Sequence, residues 1–95
     1  MTFQAIVTKF IGPTNFRGSR IKAKAFAKSV TIPYDHALNI EDNHMVAAET
    51  LATKLGWYGT WYAGGMPEGS GNCYVCAPLD RHDAAFIVEK EEEAA

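Results

Sequence analysis

Apolar residues recur along this chain at two spacings, and the switch from one to the other separates strands from a single helix. Over residues 3–10 both alternating sets hold apolar side chains, Phe3, Ala5 and Val7 on one and Ile6 on the other. That predicts a well-covered first strand, not an exposed edge. Gly12, Pro13 and Asn15 end it. Over residues 20–27 the alternation is clean: Ile21, Ala23 and Ala25 face one way, and Arg20, Lys22, Lys24 and Phe26 the other. This is the pattern of a half-buried antiparallel strand with a basic outward row. A tight connection over residues 27–29 returns the chain as a third strand, with Val30, Ile32 and Tyr34 inward. Pro33 lacks a backbone donor, so that strand lies at an edge or stops there.

The period then becomes helical. His44, Ala47, Ala48, Leu51 and Leu55 form one narrow stripe over residues 39–57. Asn39 suits the N-cap, Glu41 and Asp42 suit the first turn, and Gly56 suits the left-handed position that ends a helix. Trp57 is placed to fold back on the last turn. Residues 59–63 and 73–77 read as two further strands, joined by a glycine-rich loop of about nine residues. The expected fold is α+β in two layers, one helix on a mostly antiparallel sheet of about five strands, in the order βββ-α-ββ. It occupies one domain, residues 1–88. Within it, residues 84–88 are apolar enough to dock as an added strand or on a neighbouring chain. Residues 89–95, acidic and small, are expected to be disordered.

Composition narrows the class. A chain of 95 residues makes one domain able to bury a core without metal or disulfide help. No apolar run approaches the roughly 18 residues that a membrane span needs, and the first residues lack a leader pattern, so the expected compartment is the cytoplasm. Charge is unevenly spread. Up to Tyr34 there are six cations and no acid, whereas the three remaining cations accompany all 11 acids. Two oppositely charged faces that keep a monomer soluble would account for this, as would a basic sheet surface that meets an anionic partner.

Candidate chemistry is sparse. Cys73 and Cys76 match C-x-x-C, and His36, His44 or His82 could complete a zinc site. Tyr-Val between the cysteines inside an apolar run argues for a strand, which sends the sulfurs to opposite faces, so no metal is expected. His44 falls on the helix stripe and reads as a neutral, hydrogen-bonded core residue. Asp35 and His36 have no nucleophile placed beside them, leaving no catalytic constellation, and no cofactor motif is present. Residues 12–20 carry two glycines, two hydroxyls and two arginines but lack the order of a nucleotide-gripping loop. Arg17 and Arg20 suit bidentate contacts to phosphate or carboxylate; equally, Phe16 could pack the loop while its arginines pair with acids elsewhere in the chain. Trp61 and Tyr62 alternate, so one large aromatic is left at the surface, where aromatics anchor partners.

The phrases T-K-F-I-G-P-T-N-F-R-G-S-R-I-K-A, Y-D-H-A-L-N, N-H-x-x-A-A-E-x-L-A-x-K-L-G-W and G-x-W-x-x-G-G-x-P-x-G resemble a family of small proteins carried by bacteriophages, plasmids and integrated mobile elements. The resemblance covers most of the chain up to Pro78. It implies an accessory function, in DNA transactions or in blocking host defence, with no assigned catalytic residues. Family members often carry an aromatic where this chain has Cys73 or Cys76. Two functions follow as expectations. One is a non-enzymatic protein acting stoichiometrically on a host protein or protein–nucleic-acid complex, such as an anti-CRISPR-like inhibitor of a defence nuclease. The other is a nucleic-acid-binding module built on residues 20–28. The partner-binding residues expected for either are Phe16, Arg17, Arg20, Lys22, Lys24, Phe26, Lys28, Trp61 and Tyr62. A homodimer is compatible with both; a membrane is not expected.

Overall fold

The computed structural model describes residues 5–15, 18–66, 71–77 and 84–88. They form β1 (Ala5–Ile11), β2 (Arg20–Lys24), β3 (Ser29–Pro33), α1 (Ile40–Leu55), β4 (Gly59–Gly65), β5 (Gly71–Cys76) and β6 (Phe86–Val88). All six strands join one antiparallel sheet in the order β3-β2-β1-β5-β4-β6.

The helix forms where its pattern and caps dictate. The Asn39 side chain accepts a hydrogen bond of 2.8 Å from the Asp42 amide, satisfying one of the amides that a helix start leaves orphaned. At the other end Gly56 sits at φ 69°, and its amide donates to the Thr53 carbonyl while that of Trp57 donates to Ala52. Those two bonds make a Schellman cap. The inward stripe is His44, Ala47, Ala48, Leu51 and Ala52, all buried, with Leu55 packed at its end. Small side chains there let the helix lie close over β1 and β2. It also touches both edge strands, β3 and β6, so the sheet curls around it.

Four details differ from expectation. The sheet has six strands, because Phe86–Val88 adds to the free side of β4. Its Phe86 ring lies 5.7 Å from both Trp61 and Tyr74, and Trp61 in turn stacks on Trp57 at 6.3 Å. This aromatic column fills the core at the β4–β5 half of the sheet, which α1 covers least. The first strand is central but covered on one side only: Ile6 and Thr8 are buried while Val7 is 36% exposed. The second strand ends at Lys24, and the turn spans residues 25–28, closed by a 2.8 Å bond from the Ala25 amide to the Lys28 carbonyl. Strands β4 and β5 extend into the glycine-rich stretch, so their loop is shorter than the pattern implied.

Gly71 marks the tightest approach. A Cβ there would run into the Thr8 carbonyl oxygen, at the place where β5 meets β1 opposite Lys9. A backbone carbonyl held in a ladder cannot step aside. Gly71→Ala is therefore expected to lower the melting temperature by several degrees, whereas Gly65→Ala, with open space at that position, should leave it within about a degree or two. Phe86→Ala should cost about 3–5 kcal/mol in denaturant unfolding, as removal of a core aromatic does; a neutral result would show that the sixth strand is not part of the core.

Candidate functional site

In an antiparallel ladder, residues directly opposite share a face. The register therefore defines the sheet surface turned away from α1. On one half Lys9 lies opposite Lys22, Val7 opposite Lys24 and Ile11 opposite Arg20, with Thr31 and Ser29 completing the rows on β3. On the other half Val75 lies between Ala5 and Tyr62, and Cys73 between Val7 and Gly64. Ile87 continues that half on β6 opposite Thr60. The surface is thus basic over β2 and the end of β1, and apolar and low over β5 and β4. None of the described residues forms a second layer over it.

Among the described residues, the strands carry charge of one sign. The strands hold Lys9, Arg20, Lys22 and Lys24 and no acid, while the described acids, Asp35, Glu41, Asp42 and Glu49, all lie on α1 or the loop before it. Lys9 and Lys22 face each other across the ladder at about 4.5–5.5 Å between backbones, an opposition that disfavours the bare sheet. Lys22 and Lys24 follow at about 6.5–7 Å along one strand. All of these distances are inside the screening length of about 8 Å at physiological salt, so the cations act as one patch.

The expected site residues are divided by the fold. Phe16 and Arg17 lie outside the described residues. Arg20, Lys22 and Lys24 share the outward row as the alternation implied, and the buried Arg20 Nε has no hydrogen-bond partner among the described residues. Lys28 is exposed in the turn. Phe26 leaves the strand altogether and stands at the hairpin tip, 102% exposed. Tyr62 is the aromatic on the outer face. Trp61 is not available to a partner: it is fully buried, sandwiched between Trp57 and Phe86, with its indole N–H donating to the Trp57 carbonyl at 3.3 Å. Lys9 belongs to the patch and escaped the sequence reading. Its signal was present, since it shares the alternating set of Ala5 and Val7, but only the register shows that it meets Lys22.

Beneath the sheet lies a second polar cluster that serves the fold. Asn43, 1% exposed, accepts from the Asp35 amide at 2.8 Å and donates to the carbonyls of Asp35, Leu38 and Asn39 at 2.9–3.3 Å. It clamps the loop after β3 to the first turn of α1. His44 Nδ1 lies 2.7 Å from the Thr8 hydroxyl, which also donates to the Asn72 carbonyl at 3.4 Å. The Asn72 amide in turn donates to Glu41 at 3.0 Å and to the Tyr74 hydroxyl at 3.2 Å. Thr8 is 1% and His44 5% exposed, so this threonine–histidine pair is closed to a solute. Cys73 and Cys76 lie three apart on β5, one on each face, as their strand context implied. Burial pushes the Cys76 thiol pKa up, favouring the protonated form. Among the described residues no three His, Cys, Asp or Glu side chains are grouped to hold a metal ion, and no helix is long and apolar enough to cross a membrane.

Burial lowers the pKa of His44, with the Glu41 charge opposing the shift more weakly. A histidine whose folded pKa lies below its unfolded value near 6.5 stabilises the fold fully above that pH. The contribution is lost as pH falls through the folded value. The urea midpoint is therefore expected to drop between pH 7 and pH 5, by more in the native chain than in His44→Gln, which cannot titrate. Parallel profiles for the two would show that His44 does not contribute.

The chain matches no protein family profile, no curated protein and no solved structure.

Proposed function

We propose that this chain is a non-enzymatic binding protein that takes the acidic surface of another protein onto the sheet face turned away from α1, acting stoichiometrically on that partner. The observation that carries it is the one-sign charge of the described strands: four cations and no acid, with the described acids on α1 and its leading loop. A patch of that kind steers an anionic partner and sets its orientation.

The apolar half of the face favours a protein over a nucleic acid. Single-stranded nucleic acids are held by aromatic rings on which bases stack, with cations along the backbone. The two central strands instead present Val7, Lys9, Cys73 and Val75 here, with Tyr62 beside Val75 as the single aromatic ring among the described outer residues of the sheet. Aliphatic surface beside cations matches a protein surface that is itself apolar and acidic. Resemblance to phage and mobile-element proteins supplies the setting, the cytoplasm of a host cell, and the partner class, a component of host defence. Phosphates along the same lysines are the alternative. Its support is the Lys9–Lys22 opposition, which any bridging anion would relieve.

Replacing Lys22 and Lys24 together by Glu separates the two. On the protein reading, random-sequence oligonucleotide should bind the native chain no tighter than about 100 μM near physiological salt. A partner captured from host lysate should survive nuclease treatment and be lost in the double variant. Sub-micromolar, salt-sensitive binding to the oligonucleotide, flattened by the same substitutions, would reverse the assignment.

A further inference from the structure

We infer that the segment received by the sheet face turned away from α1 is an amphipathic α-helix, its apolar side lying along β1, β5 and β4 and one flank of carboxylates reaching Lys9, Lys22 and Lys24. This deepens the protein-binding reading and rests on it. Width is the first reason. Three strands spaced at about 4.8 Å span the 10–12 Å diameter of a helix, and those three carry Val7, Val75 and Tyr62 on the outer side. The row on β2 then falls beside such a helix, where lysine side chains reach acids on its flank and not its apolar side.

Backbone accounting is the second reason. An extended segment docks by pairing its amides with an open edge, and β1 and β5 have no open edge, each being hydrogen-bonded on both sides. A helix satisfies its own backbone and brings only side chains. Relief is the third. Cys73 opposite Gly64, and Gly71 opposite Lys9, keep the strip between the lysines and Tyr62 low. The helix α1 already closes the other side of β1, so the incoming helix would add a third layer across the sheet centre.

Two synthetic peptides test this, each of about 18 residues or five turns. Both contain the same Leu, Ala and Glu residues. In one, Leu occupies one side and Glu an adjoining flank; in the other the order is scrambled. Binding is followed by amide shifts in the full-length chain and by far-ultraviolet circular dichroism. The ordered peptide is expected to bind at least about tenfold tighter than its scramble, to gain helix, and to shift the amides of β1, β5 and β4. Val7→Glu and the Lys22→Glu, Lys24→Glu double substitution should each weaken it about tenfold or more. Both changes are at exposed or partly exposed outer positions, and unchanged spectra of the free variants would establish that they fold. Equal binding of the two peptides, no binding of the ordered one, or shifts confined to other surfaces would overturn the helix while leaving the protein-binding reading standing. Displacement of the ordered peptide by oligothymidylate at comparable concentration would overturn both.

Discussion

Everything in this structure follows from a shortage of helix. Among the described residues, one helix of 16 residues supplies the second layer for six strands. At 1.5 Å per residue it is about 24 Å long and can cover two or three strands. The sheet meets that limit by curling, so that β3 and β6 close on α1 from both sides. Beyond the helix, bulk has to come from side chains, and Trp57, Trp61, Tyr74 and Phe86 provide it. Nothing is left among the described elements for the other face, and that is where the cations stand.

A helix covering so much sheet must be held in one place, and apolar contact alone tolerates sliding. Buried polar groups do not, because each hydrogen bond left unmade costs about 1–3 kcal/mol. Asn43 ties the start of α1 to the chain leaving β3, and His44 ties it to Thr8 on the central strand. Adjacent on the helix, the two side chains fix its axial position from two directions. Gly71 adds a third constraint within the sheet, since only its missing side chain lets β5 lie in register against Thr8 and Lys9.

Features set by neighbours in sequence are legible in the sequence itself. The bounds of α1, its Asn39 and Gly56 caps, the outward row of Arg20, Lys22 and Lys24, and the opposite faces of Cys73 and Cys76 each follow from local periodicity or turn chemistry. Pro33 correctly marked β3, which both ends there and lies at an edge. What escaped depends on pairing between distant segments. Phe86–Val88 lies in the apolar stretch expected to dock as an added strand or on a neighbouring chain, but its pairing with β4 and its place in the aromatic column follow only from the register. Trp61 and Tyr62 were rightly assigned to opposite faces, but alternation could not tell which face was inside. Asn43 carries no signal in the sequence, because its value lies in three carbonyls and one amide, most of them presented by the loop before the helix.

The register also implies an order of assembly. The turn at residues 25–28 and the Asn43 clamp close contacts across only a few residues, so the β2–β3 hairpin and the start of α1 bear little loop-closure entropy. Strand β1 is different. It is the middle of the sheet in space, yet Thr8 and Asn72 are separated by 64 positions in sequence. The contact that completes the sheet centre is thus among the most distant in the chain, and topology of that kind slows folding. On the ribosome, β1 and the β2–β3 hairpin emerge well before β5 can cover the open side of β1. Until then its hydrogen-bonding edge and Ile6 are exposed together. Lys9, on that same strand, then acts as a charge that discourages two nascent chains from pairing through it.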